Sequence, residues 1–178
     1  MFFSEKQLIK KAIQGHAGAW ENLVKKNEKA VYNLALRMTG NRDDAMDLTQ
    51  DVFFDVYRKL SSFRQESSFS TWIRKIAYGK SIDFLRRQKE STQIQEDSVI
   101  SETDPHRDLI KSDQNRVVLD FLQQLTTEQR LIVELKFFQG QTFDEISQTM
   151  NLSANTVKSR FYAAIRNRRM KMEASHVL

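Results

Sequence analysis

Residues 142–165, TFDEISQTMNLSANTVKSRFYAAI, constrain the fold more than any other stretch of the chain. They read as two short helices joined by a tight turn. Thr142 and Glu145 have the spacing of a capping box, in which a hydroxyl and a carboxylate satisfy free N–H groups at a helix start. Asn151 is a turn residue, and Ser153 is a natural N-cap for the second helix. In that helix Val157, Phe161, Ala164 and Ile165 recur at the spacing of a buried stripe. At about 100° per residue, Asn155, Ser159, Tyr162, Arg166 and Arg169 fall on the opposite side, with Lys158 on its flank. A polar, cationic face carrying one aromatic suits the major groove of duplex DNA. The competing reading is a solvated helix on an ordinary bundle, and the rest of the chain decides between them.

That remainder is helical too. Five glycines and one proline in 178 residues leave few chain breakers, and the apolar residues repeat at helical spacing instead of alternating. An all-α architecture follows. Helices are expected over 4–15, where Ser4 and Gln7 form a capping box, and over 17–38, ended by Gly40. A third runs from Asn41 as cap to about residue 60 and a fourth from Ser70 as cap to about residue 89, with a serine-rich loop between them.

Between residues 90 and 113 the composition turns acidic. Glu90, Glu96, Asp97, Glu102, Asp104, Asp108 and Asp113 stand against Arg107 and Lys111, with the only proline, Pro105, and no aromatic. This predicts a flexible acidic linker over 93–112, joining two small helical domains at 1–92 and 113–178. A solvated loop within one domain is the alternative. In the second half, Val117, Val118, Phe121, Leu122 and Leu125 mark one amphipathic helix. Thr126 with Gln129 opens the next, which carries Leu131, Ile132, Leu135 and Phe138 as far as Gly140.

Composition removes whole classes of chemistry. Cysteine is absent, which excludes disulfides, thiolate catalysis and cysteine zinc sites. His16, His106 and His176 are scattered, and neither a glycine-rich phosphate loop nor metal-ligand spacing occurs. No catalytic residue, metal, cofactor or small-molecule substrate is therefore expected. No apolar run reaches membrane-spanning length and the N-terminus lacks a signal-peptide pattern, so the expected compartment is the cytoplasm.

Two further surfaces stand out. On the third helix Asp43, Asp47, Gln50, Asp51 and Phe54 gather on one outward sector. An acidic patch repels DNA, and a phenylalanine ringed by carboxylates fits a protein interface anchor with a polar rim. The fourth helix and the loop before it are the reverse. Phe63, Arg64, Gln65, Ser67, Ser68 and Phe69 lead into Trp72, Arg74, Lys75, Tyr78, Lys80, Arg86, Arg87 and Lys89. Cations interleaved with aromatics suit a surface that holds a phosphate backbone and stacks unpaired bases. Trp72 and Ile73 read better as core.

In this order and at this separation, the pattern resembles the extracytoplasmic-function group of bacterial sigma factors, the promoter-specificity subunits of RNA polymerase. The resemblance spans nearly the whole chain. AMDLTQDVFFDVYRKL is similar to the segment that binds the polymerase clamp helices, and FRQESSFSTWIRKIAYGKSIDFLRR to the −10 recognition and melting segment. LQQLTTEQRLIVELKFFQGQTFDEISQTMNLSANTVKSRFYAAI is similar to the −35-reading domain. The resemblance implies that Asp47, Gln50, Asp51 and Phe54 meet core polymerase at its clamp, with a second contact at the flap. It implies a loop of Phe63, Arg64, Ser67 and Ser68 that captures a flipped −10 base, followed by Arg74, Lys75, Lys80, Asp83, Arg86 and Arg87. It assigns Ser153, Asn155, Thr156, Lys158, Ser159, Arg160, Tyr162 and Arg166 to the −35 duplex, and adds promoter DNA and an anti-sigma factor as partners. Four positions depart from the family pattern: Gly79 replaces asparagine, Gln65 a loop glycine, Thr126 a proline and Arg168 a leucine. The first of these implies a missing −10 contact. A plain helix-turn-helix regulator would leave the Phe54 face and the basic, aromatic segment without a purpose.

Overall fold

Each pairing of a hydroxyl residue with Gln or Glu three positions on, at Ser4, Thr126 and Thr142, is built as a capping box. At the first, the Gln7 N–H donates to Ser4 Oγ at 3.3 Å and the Ser4 N–H to Gln7 Oε1 at 2.9 Å. The computed structural model describes the backbone of residues 4–95 and 113–175 and the side chains of residues 4–88 and 116–166. The described elements are helices and turns, and the chain divides into two compact units, Met1–Asp104 and Pro105–Leu178.

The first unit holds α1 (Glu5–Ile13), α2 (Ala17–Thr39), α3 (Arg42–Lys59), a 3-10 turn (Leu60–Ser62) and α4 (Phe69–Gln95). Helix α2 packs against α1, α3 and α4, and α3 packs against α4. Leu23, Leu34, Met38, Val52, Phe69 and Ile73 are fully buried at the centre of this bundle. Burying each such side chain stabilises the fold by about 1.5–3 kcal/mol. Gly40, with φ of 76°, supplies the left-handed residue that ends α2. Asn41 Oδ1 then accepts from the N–H groups of Asp43 and Asp44 at 2.8 and 3.1 Å and starts α3.

Helix α4 departs from the expected start. The cap is Ser68, whose Oγ accepts from the Thr71 N–H at 3.2 Å. Ser70 already lies inside the first turn, so its hydroxyl donates across to Asn27 Oδ1 on α2 at 2.7 Å. Asn27 is itself buried and donates to the Leu23 carbonyl at 2.8 Å. The helix also continues past residue 89 to Gln95, taking residues 93–95 out of the expected linker. The rest of that linker, 96–112, lies outside the described residues.

The second unit holds α5 (Asp113–Gln123), α6 (Thr127–Val133), a π-helical turn (Glu134–Phe138), α7 (Phe143–Met150) and α8 (Ala154–Ser175). Leu122, Ile132, Leu135, Ile146, Val157 and Ala164 have no exposed surface. The α5 stripe runs through Leu119 and Leu122, which leaves Val117 exposed, contrary to the sequence reading. Phe138 is also 42% exposed. The π-helical turn explains this: the Gln139 N–H donates to the carbonyl of Glu134, five residues back, and the wider turn shifts the i, i+3 phase that Phe138 would follow from Leu135. Arg130 is buried and donates from Nη2 to the carbonyls of Gln123 and Leu125 at 3.3 and 3.4 Å. It thereby satisfies the carbonyl of Gln123, which α5 leaves free at its C-terminus, and that of Leu125 in the turn beyond. Burial alone lowers the pKa of this guanidinium.

Candidate functional site

Helix α3 is held by Ala45, Leu48, Val52 and Val56, all buried. This fixes the opposite sector outward, and Asp43, Asp47, Gln50, Asp51 and Phe54 are all exposed there. Phe54 is 62% exposed, and the Arg58 guanidinium carbon lies 5.6 Å from its ring centroid. The carboxylates crowd one another. Burial, then the charges of Asp47 and Asp43, raise the pKa of Asp44 above the ordinary aspartate value.

Beside this face lies a groove of about 480 Å³ that sequence reasoning missed. Its walls are Gly15 and Trp20 at the α1–α2 corner and Gln50, Phe53, Phe54 and Tyr57 on α3. Trp20 meets Tyr57 and Phe53 edge-on, with centroids 5.1 and 6.3 Å apart. The paired phenylalanines at 53–54 were a visible signal. Their meeting with Trp20, more than thirty residues upstream, was not.

The loop before α4 and α4 itself separate the expected −10 residues into two groups. Arg64, Ser67, Ser68, Lys75, Asp83, Arg86 and Arg87 are exposed. Phe63, however, is buried, with ring centroids 5.6 Å from Phe69 and 4.9 Å from Trp72. It supports the loop from beneath. Tyr78 is buried as well, and Trp72 is half-buried. Arg74 donates from Nε to the Ser70 carbonyl at 3.0 Å. The Lys80 ammonium lies 3.4 Å from Asp55 and 3.9 Å from Asp51, tying α4 to α3. Gln65, where glycine was expected, has φ of 58°.

In the second unit α7 ends at Asn151, a left-handed residue with φ of 53°, and α8 starts two residues beyond Leu152. Ser153 caps α8, accepting from the Thr156 N–H at 3.1 Å, and the two hydroxyls lie 2.8 Å apart. Val157, Phe161 and Ala164 face inward, while Ile165 is half-buried. Asn155, Lys158, Ser159, Tyr162 and Arg166 are all exposed. The Tyr162 ring, 62% exposed, is braced edge-on by Phe161 at 5.4 Å, and Phe143 lies at 6.3 Å. Arg160 instead pairs with Glu128 of α6 at 2.6 Å. Arg169 lies outside the residues whose side chains are described. No described helix is long and apolar enough to cross a membrane.

Comparison with known proteins places both units. Residues 23–91 match the Sigma-70 region 2 family, and residues 115–167 match Sigma-70, region 4. The chain is 28% identical over 172 residues to RNA polymerase sigma-H factor of Pseudomonas aeruginosa, covering 90% of this chain and 89% of that one. It is 27% identical to ECF RNA polymerase sigma-E factor of Haemophilus influenzae, covering 90% and 91%. It is 33% identical to ECF RNA polymerase sigma factor SigE of Mycolicibacterium smegmatis over 81% of this chain and 58% of that one. The fold is shared with the sigma factor RpoE of Bartonella quintana, solved with the anti-sigma factor NepR, at a TM-score of 0.68, 21% identity and coverage of 86% and 96%. It is also shared with CnrH, solved with the cytosolic domain of CnrY, at a TM-score of 0.65, 21% identity and coverage of 94% and 96%.

Proposed function

This chain belongs to the extracytoplasmic-function group of sigma-70 factors, which serve promoter-directed transcription initiation, and on that premise we propose how its surfaces divide the work. The α3 face binds core RNA polymerase, the Arg64–Ser68 loop and α4 hold single-stranded −10 DNA, and α8 reads the −35 duplex. The protein acts in the cytoplasm by binding alone, with no catalytic residue and no cofactor. Its group consists of DNA-binding regulators of transcription.

The observation that carries this reading is Phe54, 62% exposed among exposed Asp47, Gln50 and Asp51. Leaving a phenylalanine in water forgoes about 1.5–3 kcal/mol of burial, and the carboxylates around it disfavour nucleic acid. A protein partner with cationic side chains and an apolar contact accounts for both. The Trp20–Tyr57 groove extends the apolar part of that surface.

The exposed cations of α4 and α8 add affinity through counterion release. Each good bidentate base contact adds about 1–3 kcal/mol of discrimination. Extruding a −10 base costs about a few kcal/mol, and stacking returns about 1–3 kcal/mol per base. The two roughly balance, so the free protein opens DNA poorly and depends on polymerase. An anti-sigma factor is a further proposed partner, because two proteins of the same fold were solved with such factors or with a domain of a partner protein.

The test is a titration against core polymerase. Asp47→Lys and Asp51→Lys together with Phe54→Ala should weaken binding by about several kcal/mol, with circular dichroism unchanged. Undiminished affinity would remove α3 from the polymerase interface.

A further inference from the structure

Helix α1 lies ahead of residues 23–91, the stretch that matches region 2, and the surfaces proposed for polymerase and DNA leave it no task. Its apolar face is Leu8, Ile9 and Ala12, all buried, and it packs against α2 and against the 3-10 turn Leu60–Ser62. Its first turn makes a contact that this packing does not require. The Phe69 N–H at the start of α4 donates to Glu5 Oε1 at 3.3 Å, across 64 residues of chain. The Ser4–Gln7 capping box fixes the first turn of α1 and so holds Glu5 in place for this bond.

That N–H is one of the groups a helix leaves free at its start. At α4 two acceptors share them: Ser68 Oγ takes the Thr71 N–H at 3.2 Å, and Glu5 takes that of Phe69. A carboxylate suits the place, because the helix dipole favours negative charge at an N-terminus. The consequence falls on the loop just before. Arg64 to Ser68 are all exposed, between Phe63 and Phe69, both buried. Helix α1 therefore touches both anchors of that loop: the 3-10 turn that leads into Phe63, and the first N–H of α4 after Ser68.

We infer that Glu5 is a positioning residue for the Arg64–Ser68 loop, and that α1 is the clasp that sets the span of that loop. The inference rests on the proposed role of the loop in holding single-stranded −10 DNA. Glu5 acts through the loop and not on DNA. It fixes where α4 begins, and with it the direction from which Ser67 and Ser68 enter the helix. A loop already held in its binding conformation loses less freedom when DNA arrives, which raises affinity without an added contact. The sign of the effect separates this role from that of a plain surface charge. An exposed carboxylate beside a DNA-binding loop repels phosphate, so its removal should strengthen binding. Removal of a positioning carboxylate should weaken it.

The experiment uses holoenzyme assembled from core polymerase and the full chain, with wild type, Glu5→Ala and Glu5→Gln. The probe is a forked duplex with a randomised single-stranded non-template overhang, compared with the same duplex made blunt. Glu5→Ala should weaken binding to the forked probe about tenfold, with affinity for core polymerase and for the blunt duplex unchanged. Glutamine keeps the acceptor oxygen without the charge, so Glu5→Gln should recover most of that loss. In the free protein, hydrogen exchange at the amides of residues 67–71 should speed up in Glu5→Ala, while α2 and α3 keep their protection. Wild-type holoenzyme with no preference for the forked probe would overturn the reading of the loop itself. Where wild type prefers the fork, equal or tighter fork binding by Glu5→Ala would overturn the inference about Glu5 and leave that reading standing. A parallel loss of core affinity and of α2 and α3 protection would also overturn it, because Glu5 would then support the whole unit and not the loop.

Discussion

The guanidinium of Arg160 on α8 lies 2.6 Å from the carboxylate of Glu128 on α6. The buried side of α8 sets which direction faces inward, and this pair adds a second restraint on its rotation. The Asn155, Lys158, Ser159 and Tyr162 side is thereby presented outward at a fixed angle. Both partners are partly exposed, so the pair contributes about 0.2–1 kcal/mol. Glu128→Gln should increase hydrogen exchange of α8 amides by no more than that loss allows. It should return the same −35 sequences in a selection with holoenzyme. A changed motif would mean that the pair sets the reading angle of the helix.

The Asp55 carboxylate couples α3 to α4 in a way that acid should expose. Burial raises its pKa, but hydrogen bonds and charge from Lys59 and Lys80 outweigh burial and hold it below the ordinary aspartate value. A carboxyl depressed in the folded state contributes stability that is complete above its unfolded value, about 3.9, and lost as pH falls through the folded value. Asp55→Asn should therefore destabilise the protein at pH 7 and flatten the loss of stability below about pH 4. Parallel acid limbs for wild type and variant in urea denaturation would contradict this.

The crowded start of α3 predicts the opposite sign. Asp44 has a raised pKa, from burial first and then from Asp47 and Asp43, so its ionised form strains the fold at neutral pH. Asp47→Asn removes like-charge neighbours at i−3 and i−4, each costing about 0.2–0.5 kcal/mol. The variant should melt higher than wild type at pH 7 yet bind core polymerase more weakly. A lower melting temperature would show that Asp47 supports the fold instead of straining it.

Much of this arrangement was legible from the sequence because it is local. The Thr142–Glu145 and Thr126–Gln129 caps, Gly40, Asn151 and the Val157–Phe161 stripe all depend on residues within about one or two turns of one another. What escaped depends on partners far along the chain. Ser70 reads as a cap until Asn27 offers its hydroxyl an acceptor on α2. Lys80 reads as a phosphate contact until α3 places Asp55 3.4 Å away. Phe63 reads as a base-stacking ring until Phe69 and Trp72 bury it. The slipped phase at Phe138 follows from a π-helical turn, which periodicity analysis at a fixed 3.6 residues does not represent.

Gln65 carries backbone strain in the loop assigned to the flipped base. At φ of 58° it occupies the left-handed region, which costs an L-residue with a Cβ about 1–2 kcal/mol. Glycine avoids that cost but gives up about 0.5–1 kcal/mol of chain entropy. Gln65→Gly should therefore stabilise the free protein by about 0.5–1 kcal/mol. If the Gln65 side chain contacts DNA, the same change should lower promoter affinity. A destabilised variant would mean that the side chain makes compensating contacts within the loop.

The −35 assignment gives the sharpest contrast. Lys158, Ser159 and Tyr162 are exposed in the first half of α8, where base contacts concentrate in recognition helices. Arg166 is exposed one turn beyond Tyr162, where phosphate is the natural partner. Tyr162 has little freedom to move aside, because Phe161 braces its ring. Lys158→Ala and Tyr162→Ala should change which −35 sequences holoenzyme selects from a library, at about 1–3 kcal/mol per lost contact. Arg166→Ala should weaken binding to all sequences alike and reduce the salt slope by about one unit. Arg160→Ala, with its guanidinium held by Glu128, should do neither and lose only the stability of that pair. If Arg166→Ala altered the selected motif while Lys158→Ala and Tyr162→Ala preserved it, α8 would have to enter the groove by its other end.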